Sequence, residues 1–221
     1  MTLYTQPDGF PFPESGDNVA PLEEYIEDLA VAMQASALRG GAVANAAARD
    51  AAIPSPVAGQ SVWRLDTGWR EVYYPAGLVR VAGWYPVSGA LPLVQATNPT
   101  SMQVLGSSSS NLKFTAVDLS RNANYSLSTG VMTVTQPGLY LVSGYVRMST
   151  APAGAVRLQV SLNGNPTQMS YVNNLVGTPV AHQLVCSAGD QLAVTVVNGD
   201  GNAQTVATSN RGETFSYLGP A

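Results

Sequence analysis

The feature that most constrains this chain is the rhythm of its last 130 or so residues. From about Leu91 onward, short segments alternating apolar and polar residues are separated by turn signals at regular spacing. The turns read Ser107–Ser110, Thr129-Gly130, Pro137-Gly138, Asn163-Gly164, Ala188-Gly189-Asp190 and Gly199-Asp200-Gly201, residues that tolerate or preset turn geometry. Between them the alternation predicts strands at Ser101–Leu105, Leu112–Val117, Tyr125–Leu127, Val131–Thr135 and Gly138–Met148. It continues with Val156–Asn163, Met169–Asn173, Thr178–Cys186, Gln191–Asn198 and Glu213–Leu218. Val and Thr at alternate positions, as in Val194-Thr195-Val196, fit a half-buried pleated surface. Many strands with no helix between them predict a mainly β domain, a sandwich or jelly roll.

The front of the chain follows other rules. Residues 1–18 hold Pro7, Pro11 and Pro13 and show no helical period. Proline fixes φ and keeps the preceding residue out of the helical region, so an extended arm is expected. Tyr4, Phe10 and Phe12 along it could press into a partner and are the candidate anchoring residues. Residues 19–53 read as helical. Asp17 or Asn18 can cap, Pro21 is tolerated in the first turn, and Glu23 and Glu24 suit the positive end. Leu22, Ile26, Leu29 and Met33 share one stripe. A helix of this length is marginal alone in water, so the stripe needs a partner: identical helices about an axis, or the chain's own globular part. A small alanine-rich helix is expected at Val43–Ala52. Residues 54–90 predict a β connector, with a hairpin of Gln60–Asp66 and Trp69–Tyr74 around Asp66-Thr67-Gly68, and a second strand pair at Leu78–Val81 and Gly83–Tyr85. Trp63, Trp69 and Trp84 are read as the core of this small unit rather than a sugar-stacking platform. Residues 91–221 form the β head.

Composition narrows the function. Only 11% of residues are charged, Lys113 is the one lysine, and the net charge is -4. Average domains carry roughly 25% charged residues. Phosphate neutralisation needs clustered Lys and Arg, so nucleic-acid binding is not expected. Hydrophobic content of 45% argues against disorder. No stretch reads as a membrane span of about 20 apolar residues, and the first residues do not read as a secretory leader. One cysteine, Cys186, leaves no internal disulfide. A surface this poor in charge suits burial between chains, because charged residues are depleted at interface cores.

Catalytic constellations are nearly absent. His182 is the sole histidine, and a triad or histidine metal site would have to use it. On a strand it shares a face with Leu184 and Cys186, and it reads as a strand residue near a surface or trimer seam rather than a ligand or base. The head's acids are Asp118, Asp190, Asp200 and Glu213, and no paired arrangement for glycosidase chemistry is legible. Asp190 and Asp200 read as turn formers. The run Asn198-Gly-Asp200-Gly-Asn202 loosely resembles a calcium loop but lacks a later glutamate. No cofactor and no metal is expected, and no enzymatic activity.

Two resemblances add to this. The stretch Asn122-Ala-Asn-Tyr125, Ser128-Thr-Gly130-Val131 and Val134-Thr-Gln-Pro137-Gly138-Leu-Tyr140 resembles the signature of the complement globular-head and tumour-necrosis-factor superfamily. Val156–Gly164, Leu184–Leu192 with Ala188-Gly189-Asp190, and Thr214-Phe215-Ser-Tyr217-Leu218 resemble its later strands. The resemblance implies a ten-stranded jelly roll assembled as a homotrimer, with Tyr125, Gly138, Tyr140, Phe215 and Tyr217 as signature and trimer-packing residues. Val131 stands where the family usually has Phe, and no collagen-like Gly-X-Y run is present. The front half, from Phe10-Pro-Phe12-Pro to Val72-Tyr-Tyr74, resembles minor tail or fibre proteins of tailed bacteriophages. That implies a virion protein of the tail or capsid exterior, trimeric, whose N-terminal part holds other virion proteins and whose head attaches to a host glycan or protein. A capsid decoration protein or head fibre built from the same parts is the alternative.

Overall fold

A computed structural model describes residues 3–4, 11–12, 41–79, 81–99, 102–152, 154–172, 178–207 and 211–221. In the arm, β1 (Leu3–Tyr4) and β2 (Pro11–Phe12) pair antiparallel, Leu3 opposite Phe12 and Tyr4 opposite Pro11. The arm expected to run extended therefore doubles back. Proline is tolerated there because a two-stranded ribbon has only edges. Phe10 and the helix stripe Leu22, Ile26, Leu29 and Met33 lie outside the described residues.

The connector is built from β3 (Ala42–Val43), α1 (Ala46–Ala52), β4 (Ser61–Arg64), β5 (Trp69–Tyr74) and β6 (Gly83–Gly89). Its sheet runs β3-β4-β5-β6. The alanine-rich helix starts later than expected, because Val43 is committed to the sheet and Asn45 is the cap. The Asn45 Oδ1 accepts from the Ala48 N–H at 2.9 Å, satisfying one of the first unpaired helix donors. The hairpin lies where the sequence puts it, with Gly68 at φ 67° in its turn. Of the strand expected at Leu78–Val81, Leu78 lies in a turn, Val79 makes an isolated bridge to Ala76, and Arg80 lies outside the described residues. Gly77 adopts φ 98° and the Leu78 N–H donates to the Pro75 carbonyl, so this stretch is turn, and β6 pairs with β5 instead.

Val43, Ile53 and Val62 form a small core with Trp84 against it. Beside it Glu71 is buried, taking Arg49 Nη1 at 2.5 Å, Arg64 Nη1 at 2.9 Å and Trp69 Nε1 at 2.9 Å. The Arg49 guanidinium also lies 5.1 Å from the Trp84 ring centroid. A buried carboxylate is tolerable only when so paired, and this one ties α1 to the sheet. Residues on both sides of Ile53 thus pack together. Of the three tryptophans, Trp69 is buried and Trp84 packs on the small core, while Trp63 is 38% exposed.

The head opens with β7 (Leu93–Ala96), β8 (Asn98–Pro99), β9 (Met102–Val104), β10 (Ser108–Asn111) and β11 (Phe114–Ala116). It continues through β12 (Leu119–Arg121), β13 (Asn124–Ser126), β14 (Val131–Thr133), β15 (Gly138–Val146) and β16 (Val156–Leu162). It ends with β17 (Asn165–Val172), β18 (Thr178–Cys186), β19 (Gln191–Asn198), β20 (Gln204–Val206) and β21 (Gly212–Gly219). Eleven of these make the two main sheets, one of five strands and one of six. The first runs β12-β7-β21-β15-β18 and the second β13-β14-β19-β16-β17, with β10 also paired to β19. From β12 on, the chain changes sheet between β12 and β13, β14 and β15, β15 and β16, β17 and β18, β18 and β19, and β19 and β21. The head is the expected jelly-roll sandwich, with β10 as an eleventh strand.

Inward residues of both sheets make one core: Val94, Tyr140, Val142, Leu158, Val194 and Phe215 are completely enclosed. At Gly144 a Cβ would lie 2.7 Å from Val194 Cγ1, so the glycine lets the sheets close there. The expected turn at Ser107–Ser110 is largely strand, because β10 is held by β19 from Ser108–Asn198 to Asn111–Thr195. Pairing to a buried neighbour outweighs weak serine propensity. Head and connector meet at Asn122, whose Nδ2 donates to the carbonyls of Thr67 at 2.7 Å and Ala90 at 2.5 Å. The Tyr217 N–H also donates to the Pro92 carbonyl at 3.0 Å.

Candidate functional site

The head residues singled out by sequence come together in two interior clusters. In one, Tyr140 and Tyr217 from neighbouring strands meet edge to face, 5.3 Å between centroids, a favoured aromatic geometry. The Tyr140 hydroxyl donates to the Gln136 carbonyl at 2.8 Å. Gly138 opens β15 beside them at φ 150°, where a Cβ would lie 2.4 Å from the Gly219 oxygen and 2.5 Å from Tyr217 Cε2. Only glycine fits. In the other, the Tyr125 ring lies 5.9 Å from Phe215, and its hydroxyl donates across the sandwich to Glu213 Oε1. Burial pushes the Glu213 carboxyl well above the usual carboxylate range, against the pull of Tyr125 and Arg211. Burial likewise lowers the Arg211 guanidinium to about 10.

Tyr140 and Phe215 are completely enclosed within a single chain and Tyr217 is nearly so. They hold the two sheets of one sandwich together, and a side chain enclosed by its own chain has no surface left for a neighbour. Surface suited to a neighbour is found instead on the outer side of the first sheet.

That side is defined by the strand registers. Leu139, Leu141, Ser143 and Tyr145 on β15 point out between Ala181, Gln183 and Val185 on one flank and Thr214, Ser216 and Leu218 on the other. Leu93, Gln95 and Leu119 extend the face toward the edge. Arg121, on the edge strand, is its one charged residue among the described strands. Tyr145, Leu119, Val185 and Leu218 are between 39% and 46% exposed. A broad, nearly charge-free sheet face on which Leu, Val and Tyr side chains alternate with neutral polar ones and stand exposed suits an interface. Sequence reading missed it, although β15 carries the signal. Leu139-Tyr140-Leu141-Val142 is apolar at both parities, the mark of a strand covered on both faces.

The remaining candidates are placed singly. Tyr4 and Phe12 fall on the paired arm strands. His182 is half-buried on β18, on the inner side with Leu184 and Cys186. Cys186 is buried, and burial pushes its thiol up to about 12, so it behaves as a small apolar side chain. Asp118 accepts from the Thr97 N–H at 2.5 Å and Oγ1 at 2.6 Å. Asp190 accepts from the Ser187 N–H at 2.7 Å and Asn163 Nδ2 at 2.8 Å, as a turn former does. Glu213 is committed to the core, so the head's acids serve four separate local tasks.

The Asn198–Asn202 turn is filled by its own groups. Asn198 is 1% exposed, and its Nδ2 donates to the carbonyls of Val104 at 3.1 Å, Leu105 at 3.1 Å and Asn202 at 2.8 Å. Its Oδ1 accepts the Asp200 N–H at 2.9 Å. Asp200 in turn accepts from the Asn202 N–H and Gln204 Nε2, both at 3.2 Å. An amide nitrogen therefore sits among three carbonyl oxygens, the position a cation would take in a calcium loop. Among the described residues no group of three or more His, Cys, Asp or Glu is placed to hold a metal.

No family model and no curated protein matches the chain. It is similar to several solved structures. The PRD1 vertex protein P5 is 13% identical, with a TM-score of 0.47, over 59% of this chain and 99% of that one. Murine APRIL at pH 8.5 is 14% identical, with a TM-score of 0.46, over 57% and 98%. The globular domain of the zebrafish complement 1qA protein is 14% identical, with a TM-score of 0.44, over 58% and 97%.

Proposed function

We propose that this chain is a non-enzymatic structural protein of a tailed-phage virion, a homotrimer on the tail or capsid exterior. Its arm and N-terminal helix hold other virion proteins, and its jelly-roll head attaches to the host surface. The observation that carries the reading is the outer face of β12-β7-β21-β15-β18: apolar, exposed in one chain and nearly free of charge. A second and third copy are its occupants. Low overall charge supports the same assembly. Three heads on one axis raise effective concentration, so contacts too weak singly hold a particle to a cell.

The first test is mass in solution. Light scattering is expected to give three times the 23.0 kDa chain mass. Val185→Glu with Tyr145→Glu is expected to give monomers that melt as folded heads, since both side chains are exposed in one chain. A monomeric parent protein overturns the assembly reading. Electron microscopy of labelled particles then places the protein. A tail position supports attachment, and a regular array on the shell supports the decoration alternative.

A further inference from the structure

The opposite face of the sandwich is chemically different. On the outer side of β13-β14-β19-β16-β17, the registers bring out Asn111, Thr195, Ser161, Gln159, Arg157, Met169 and Tyr171. Most are polar and neutral, and Arg157 is the one charged side chain on this face among the described residues. Asn111, Thr195 and Ser161 are spent on one another. The Thr195 Oγ1 donates to Asn111 Oδ1 at 2.8 Å and lies 3.5 Å from Ser161 Oγ.

The hairpin β16–β17 is otherwise. Tyr171 stands 60% exposed and Met169 beside it is exposed too. The Arg157 guanidinium lies 5.7 Å from the Tyr171 ring centroid. Its Nε is buried with no hydrogen-bond partner among the described residues, and no carboxylate there pairs with it. In a chain with net charge -4, that is an unspent cation on a face without acid. The enclosed Nε is shut off from a ligand, so the guanidinium offers its Nη end, whose two nitrogens match a carboxylate in two parallel bonds. An exposed tyrosine ring offers an apolar plane with a polar tip.

We infer that Arg157, Tyr171 and Gln159 form a binding site for a uronate-bearing glycan on the outer face of the hairpin. Arg157 takes the sugar carboxylate, Tyr171 packs against the C–H face of the ring, and Gln159 meets a hydroxyl. The inference rests on the attachment reading and names the ligand class of the head. The face lies on the far side of the sandwich from the outer side of β12-β7-β21-β15-β18.

The test uses the full chain with an alginate hexasaccharide, and a neutral dextran oligosaccharide of similar size, in titration calorimetry at low and moderate salt. Binding of alginate is expected, weakened by salt because its main contact is ionic, with no binding of dextran. Arg157→Gln and Tyr171→Ser should each weaken alginate binding at least ten-fold while leaving the melting temperature near that of the parent. No alginate binding, equal binding of dextran, or unchanged affinity in both variants overturns the site. Electron microscopy of labelled particles separates the two readings: a tail position without alginate binding removes this site alone, and a regular array on the shell removes the attachment reading on which it rests.

Discussion

Asn198→Asp replaces one amide nitrogen of the head with oxygen, at a position where that nitrogen has three partners. The parent amide supplies two N–H groups to the carbonyls of Val104, Leu105 and Asn202, at 2.8–3.1 Å. A carboxylate of the same shape donates nothing and sets negative oxygen against three carbonyl oxygens. Each acceptor left unpaired in the interior costs about 1–3 kcal/mol, and at 1% exposure the carboxylate itself is desolvated. The variant is expected to lose about 4 kcal/mol at pH 7. With a urea m-value of about 2 kcal/mol/M, the midpoint falls by about 2 M. The pH dependence has a definite sign. The folded state raises the new carboxyl's pKa above its unfolded value, so the deficit grows as pH rises through the carboxylate range. Protonation returns one donor, and at pH 4 the deficit relative to the parent shrinks to about half. Urea titrations of parent and variant at pH 4 and pH 7 measure this directly. A variant within about 1 kcal/mol of the parent at pH 7, or an equal deficit at both pH values, refutes the argument. The parent's midpoint should also be unmoved by calcium or EDTA, because the turn's oxygens already have donors.

Three further outcomes are expected. Gly138→Ala forces a Cβ to 2.4 Å from the Gly219 oxygen, a backbone atom with no room to yield, and should cost about 3 kcal/mol or more in urea denaturation. Glu213→Gln should flatten the pH dependence of stability. The parent carboxyl is raised well above its ordinary value by burial, so its contribution is present at acid pH and lost as pH rises from the ordinary carboxylate range; melting scans from pH 4 to pH 8 show the difference. The Cys186 thiol, pushed up to about 12 by burial, should stay unreactive toward a disulfide reagent at pH 8 and react at the rate of unfolding, measured by absorbance with and without urea.

How much of this was legible in the sequence depends on which force shapes each segment. β18 and β19 were readable to the residue, Thr178–Cys186 and Gln191–Asn198, because one apolar face and turn residues at both ends set their limits locally. β10 was not, since four polar residues become strand only when β19 supplies their partners. Leu78–Val81 shows the reverse case, where apolar residues suggest a strand and backbone geometry at Gly77 makes a turn. Gly138, Tyr140 and Phe215 were legible as important, but motif position does not distinguish packing within a chain from packing between chains. The outer faces were least legible. They depend on which residues the register brings side by side, and Arg157 and Tyr171 are fourteen positions apart in sequence yet cross-strand neighbours.

The placement of β7 has a mechanical consequence. The chain passes from the connector into the head through this strand, which lies inside its sheet with β12 on one side and β21 on the other. Its first residue, Leu93, faces Arg121 and Ser216 at the connector end, and its last, Ala96, faces Glu213 further along. A tug on the connector therefore pulls along the strand axis. It loads the flanking hydrogen bonds in shear, all at once, rather than peeling them one by one from an edge.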